Sequence, residues 1–118
     1  MNSVKTGKLG ENLAVRYLEN NGYTIIMRNY YIRGGEVDII YRDGDYIVFG
    51  EVKARTSLEY GFPAQAVTRQ KIKRICRAAQ TYTVSHNLTN AKLRFDVIEV
   101  YMETKEIKMI KNAFLFMS

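Results

Sequence analysis

The sequence has no tryptophan and only one proline, one cysteine and one histidine in 118 residues. A lone cysteine excludes an internal disulfide framework and a zinc site built from thiolates. It also fits a reducing compartment. One histidine leaves no Cys/His cluster that would favour zinc. No linker, internal repeat or low-complexity segment is visible. No stretch approaches the roughly 20 apolar residues that a membrane-crossing helix needs. The segment Met1–Gly10 lacks the apolar core of a secretory signal. These absences point to a soluble, cytoplasmic protein.

Hydrophobic residues make up 47% and charged residues 25% of the chain, an ordinary globular balance that argues against disorder. The length suits one domain, 1–118, with a real core. Lysine and arginine total 18 against 12 acids, giving +6 at pH 7. Such an excess on a small domain suits a polyanionic partner, most often nucleic acid, and equally serves solubility.

Leu9, Leu13, Ala14, Tyr17 and Leu18 recur with helical period, predicting a helix over Val4–Asn20. Asn20-Asn21-Gly22 stops it, with Gly22 free to take the left-handed cap. Tyr23–Arg28 is short and β-rich, and Gly34-Gly35 is a turn. Glu36–Arg42 and Tyr46–Ala54 read as strands joined at Asp43-Gly44-Asp45. Thr56–Ala66 is irregular and holds Pro63. A second helix is expected over Thr68–Val84, with Ile72, Ile75, Cys76 and Ala79 on one face. His86–Asn90 is a polar loop. Leu93–Tyr101 and Ile107–Ile110 complete the set as strands. The order is α, β, β-hairpin, α, β, β, which suits an α/β fold with a mixed central sheet flanked by helices.

Chemistry concentrates in Glu36-Val37-Asp38 and Gly50-Glu51-Val52-Lys53. With a side-chain period of two, Glu51 and Lys53 share a strand face, their Cα atoms about 6.5–7 Å apart. A tight hairpin sets Ile40 and Tyr41 near Val48 and Ile47, and brings Asp38 within a residue or two of Glu51. Two carboxylates there suit a hard divalent cation such as Mg²⁺, which takes one or two carboxylates and completes its shell with water. The same spacing also suits a plain Glu51–Lys53 ion pair with Asp38 on an exposed hairpin edge.

The spacing Asp38…Glu51-Val52-Lys53 resembles the PD-(D/E)xK nucleases, the restriction-endonuclease-like superfamily. Gly7-Lys8-Leu9-Gly10-Glu11, Ala14, Tyr17-Leu18, Gly22-Tyr23, Asn29, Gly35-Glu36-Val37-Asp38 and Val48-Phe49-Gly50-Glu51-Val52-Lys53-Ala54-Arg55 resemble the YraN family of small bacterial proteins. The likeness continues through Gly61, Lys71, Ala78-Ala79 and Arg94-Phe95-Asp96-Val97. That family is described as similar to archaeal Holliday junction resolvases. The resemblance implies a restriction-endonuclease-like fold and a Mg²⁺-dependent endonuclease, with Mn²⁺ as a substitute. Its substrate would be DNA selected by structure, branched DNA included, and a homodimer would be in keeping.

By resemblance, Asp38, Glu51 and Lys53 form the catalytic triad. Asp38, Glu51 and the Val52 carbonyl would hold the ion, with Glu11 on the first helix reaching its water shell. Lys53 would position the attacking water and balance charge on the phosphate. Gly50 stands where the family commonly has Val, and a glycine there could mark a bulge. Glu36 shares the Asp38 strand face and stays outside the metal set. Arg55 continues the Lys53 face as a phosphate contact. The basic run Arg69–Arg77, spread over the outer face of the second helix, offers Lys71, Arg74 and Arg77 as nucleic-acid contacts, Lys71 foremost. A solvated helix face would look the same. Asp96 reads as a structural partner for arginine, His86 as a loop residue and Cys76 as core. Tyr30-Tyr31 could stack on bases or cover the core. Two other classes fit as well: a catalytically silent nucleic-acid-binding module of the same fold, and an interaction protein that self-associates through a sheet edge.

Overall fold

The computed structural model describes residues 3–55 and 67–117. The expected irregular segment Thr56–Ala66, with Gly61 and Pro63, lies outside them. The elements run α1 (Ser3–Asn20), β1 (Thr24–Ile32), β2 (Gly35–Asp43), β3 (Tyr46–Arg55), α2 (Arg69–Ser85), β4 (Lys92–Tyr101) and β5 (Glu106–Ile110). The strands form one five-stranded sheet in the order β1-β2-β3-β4-β5. Only β3 and β4 are parallel, and α2 is the crossover that parallel neighbours require. The mixed sheet between two helices is consistent with a restriction-endonuclease-like fold. No helix among the described residues is long and apolar enough to cross a membrane.

Caps set the helix ends. Gly22 takes φ +88°, and the Gly22 and Tyr23 N–H groups return to Glu19 and Leu18 carbonyls at 3.1 and 3.0 Å. Thr68 caps α2, its hydroxyl accepting the Lys71 N–H at 3.1 Å. β1 runs on to Ile32, well past the Arg28 end expected from the sequence. It stays paired to β2 as far as Gly35, so the partner strand extends it where composition does not.

Strand parity builds two cores. Ile47 and Phe49 of β3 join Ile40, Phe95 and the α2 residues Ile75, Cys76, Ala79 and Tyr82 on one face. Val48 joins Tyr41, Ile98, Val100 and the α1 residues Ala14 and Leu18 on the other. Asp96 is fully buried and saturated. It accepts two hydrogen bonds from the Arg94 guanidinium at 2.9 Å, one from the Tyr41 hydroxyl at 2.6 Å and one from the Asn112 N–H at 2.9 Å. Its part is structural, tying β2, β4 and the segment after β5.

Two details differ from the sequence expectation, and both bear on the site. The β2–β3 turn has two residues, Gly44 and Asp45, with Gly44 at φ +59°, as a tight hairpin needs at its first position. Ile40 therefore faces Phe49 and Tyr41 faces Val48, one residue on from the expected register. Gly50 is no bulge: it pairs regularly with Ile39 and Asp96. It is small because a Cβ there would come within 2.9 Å of the Tyr41 ring. The register shift between β1 and β2 lies at Ile25/Met27. Farther along β1, Asn29 takes φ +55° between Arg28, which pairs with Ile39, and Tyr30, which pairs with Val37, and so stands opposite Asp38. Alternation slips there: Val37 packs with the α2 core and Ile39 with the α1 core.

Candidate active site

β2 and β3 pair only as far as Ile39↔Gly50, while β3 continues beside β4 to Arg55. The hairpin thus splits open at Asp38 on one side and Glu51 on the other. At the split, the Val52 N–H donates to Asp38 Oδ2 at 2.8 Å, so a carboxylate takes the place of a strand carbonyl. Glu51 has the parity of Ile47 and Phe49 and points toward the α2 side. It is 3% exposed. Burial, then the charge of Asp38 and a hydrogen bond with it, push the Glu51 pKa up to about 8, against the pull of Lys71 and Lys53. The Asp38 charge therefore bears directly on Glu51.

Two lysines approach the same carboxylate oxygen. Lys53 Nζ is 3.7 Å and Lys71 Nζ 3.6 Å from Glu51 Oε2. Glu51 Oε1 is buried and has no hydrogen-bond partner among the described residues. Lys71 also pairs closely with Glu36, and Arg74 Nε lies 3.9 Å from the same Glu36 oxygen. The hydrogen bond from Lys71 lowers the Glu36 pKa, with partial burial opposing it.

The remaining sequence candidates have other partners. Glu11 of α1 accepts from Arg28 Nε at 2.8 Å and from Asn29 Nδ2 at 3.0 Å. Arg55 donates to the fully buried Glu99 at 3.2 Å. Lys71 leaves the outer face on which the helical reading set it, because Glu36 and Glu51 draw its ammonium inward. Arg74 and Arg77 stay outside, lining with Lys73, Gln70 and Gly34 a groove of about 230 Å³ between the β1–β2 turn and α2. The Arg77 side chain lies over Gly34, where a Cβ would meet its guanidinium at 2.6 Å. Gly34, at φ +81°, both makes the turn and seats this arginine.

Sequence reasoning missed Glu99 and left Glu36 aside. Glu99 stands beside Lys53 in the parallel register and also accepts from the Tyr101 hydroxyl at 3.3 Å. Its signal was there: one acid in the apolar run Val97-Ile98-Glu99-Val100. The structure also separates the tyrosine pair. Tyr30 packs edge-on against Tyr82 in the core, whereas Tyr31 is 62% exposed. Its hydroxyl donates to Asn29 at 3.2 Å. Partial burial, then the charges of Asp38, Glu36 and Glu11, raise its pKa.

The family model described as "Uncharacterised protein family UPF0102" matches residues 10–100, a span that holds every residue of this site. The chain belongs to the UPF0102 family. A UPF0102 protein of Acetivibrio thermocellus is 49% identical over 121 residues, covering 96% of this chain and 93% of that protein. UPF0102 proteins of Clostridioides difficile and Caldicellulosiruptor saccharolyticus are each 44% identical, covering 97% of this chain and the whole of theirs.

The donor set of this UPF0102 chain fits a small hard cation. Asp38 and Glu51 offer two carboxylates, and Glu51 Oε1 is a buried oxygen with nothing to bond. Among the described residues no three His, Cys, Asp or Glu side chains gather as a metal cluster.

Proposed function

We propose that this chain is a Mg²⁺-dependent endonuclease of the PD-(D/E)xK kind, hydrolysing DNA phosphodiester bonds with a preference for branched structure. The observation that carries the reading is the meeting of Asp38 and the buried Glu51 at the split of the hairpin, with the Lys53 ammonium 3.7 Å from Glu51. A buried carboxylate beside a second one is costly to ionise without a cation. A structural ion pair needs only one of them.

Asp38, held by the Val52 N–H, and Glu51 are the carboxylates that would bind the ion, with the Val52 carbonyl on the same strand. When bound, such an ion supplies Lewis-acid polarisation of the phosphate and acidifies water. Lys53 orients the attacking water and offsets the charge that grows on the phosphate oxygens. Arg74 and Arg77 in the groove hold the flanking backbone, which gives affinity without base readout. Mn²⁺ would substitute for Mg²⁺. A cytoplasmic setting and a homodimer belong to the same reading.

The test is cleavage of branched, flapped and plain duplex DNA with Mg²⁺ or Mn²⁺, alongside calorimetry of ion uptake. Glu51→Gln should lose both cleavage and ion uptake. Lys53→Met should lose cleavage and keep the ion. A second reading, a catalytically silent DNA-binding module, is favoured by the diversion of Glu11 to Arg28 and Asn29, away from the carboxylate pair. Wild-type protein that binds DNA, cuts none of the three substrates and takes up no ion would establish that module instead.

A further inference from the structure

The buried Glu51 carboxylate needs a cation nearby. The chain supplies two, and they are not equivalent. Lys53 rises from the same strand as Glu51 and has no second carboxylate partner among the described residues. Lys71 comes from the first turn of α2 and bridges two elements: Glu51 on β3 at 3.6 Å and, more closely, Glu36 on β2. Glu36 is anchored in turn by Arg74 at 3.9 Å. Lys71 can therefore let go of Glu51 and remain paired, whereas Lys53 cannot.

We propose that Lys71 is the resident cation of the carboxylate centre, and that a divalent ion enters by displacing its ammonium from Glu51 toward Glu36. The inference rests on the reading that Asp38 and Glu51 take such an ion. It assigns Lys71 a role different from the phosphate contact expected of it. Its ammonium lies 3.6 Å from Glu51 and closer still to Glu36, so it has a berth on either side. An ion competing with it binds with an affinity reduced by the fraction of molecules in which Glu51 is occupied. Lys71 is thus a positioning residue that acts through Glu51. It keeps the empty centre compact and sets a threshold for ion entry.

The experiment is calorimetric titration of the full chain with Ca²⁺, then Mn²⁺, at fixed pH. Lys71→Met should bind the ion roughly tenfold more tightly than wild type, the order expected when a unit charge is removed from a partly buried pair. Lys71→Arg keeps the charge and should restore near wild-type affinity. Arg69→Met removes a charge from the same end of α2 and should change affinity less than about twofold, since exposed charges are screened. If Lys71→Met binds no more tightly than wild type, or Arg69→Met tightens binding as much, the displacement is wrong. If neither wild type nor Lys71→Met takes up either ion, the metal reading itself fails and the displacement falls with it. Should Lys71→Met not fold, Glu36→Gln decides the matter. It removes the outer berth of Lys71 and should weaken ion binding. Tighter binding by Glu36→Gln would overturn the proposal.

Discussion

The Asp38 carboxylate accepts the backbone N–H of Val52 at 2.8 Å, just past the last residue pair that joins β2 to β3. A side chain thus finishes a ladder that the two strands abandon. The bond holds Asp38 beside Glu51 while the backbones part, leaving an opening where their carboxylates face each other. Glu51 in that opening is the most strongly perturbed acid of the site, and it gives the first prediction.

Because the native Glu51 pKa lies above its unfolded value of 4.5, at about 8, the folded protein binds more protons than the unfolded one between those values. Ion-free stability should therefore fall as pH rises from about 5 to 8. Glu51→Gln carries no charge to bury. It should flatten this fall, melting above wild type at pH 8 and close to it near pH 4.5. Thermal unfolding across pH, in chelator, checks this. A wild-type curve parallel to that of the variant would refute the burial of charge at Glu51.

Gly50→Ala should destabilise the fold by about 1–3 kcal/mol, the usual cost of overpacking a core. The added Cβ would lie 2.9 Å from the Tyr41 ring, and that ring is fixed by its hydroxyl bond to Asp96. Urea unfolding gives the value. A loss under about 0.5 kcal/mol, the range of ordinary surface changes, would mean that Tyr41 moves aside freely.

Asn29→Ala should cost about 1–2 kcal/mol, since alanine tolerates φ +55° less well than asparagine. It also removes the bond to Glu11. Asn29→Gly keeps the conformation and loses only the side-chain bonds, so it should fall between wild type and alanine. A glycine variant less stable than the alanine one would assign the position to hydrogen bonding alone.

On the proposed reading, Arg77→Gln should reduce the magnitude of the salt slope for duplex DNA by about 0.9, one phosphate's worth. Gly34→Ala should do the same without changing any charge, because its Cβ takes the space of the Arg77 guanidinium. Fluorescence anisotropy at several salt concentrations checks both. Equal slopes for wild type and Arg77→Gln would make the groove a solvated surface.

Much of this was legible in the sequence because it depends on period. The helical repeat of Leu9, Leu13, Ala14 and Leu18 found α1, and two-residue alternation put Glu51 and Lys53 on one face. The hairpin register was missed by one residue, since Asp43-Gly44-Asp45 fits a two- or a three-residue turn and only packing chooses. Lys71 was misplaced for a similar reason: helical spacing gives the direction of a stem, not where a long flexible amine is drawn by acids on other strands. Glu99 escaped notice because its burial comes from neighbours far along the chain.

The amide that Asp38 holds has one more use. β3 is the central strand, hydrogen-bonded to β2 on one side and β4 on the other, so most of its amides should exchange with solvent only when the whole sheet opens. The Val52 amide is protected differently, by a carboxylate that can turn away while the sheet stays intact. Its exchange rate should therefore respond to whatever engages Asp38, making one backbone proton in the middle of the sheet a built-in gauge of the state of the site.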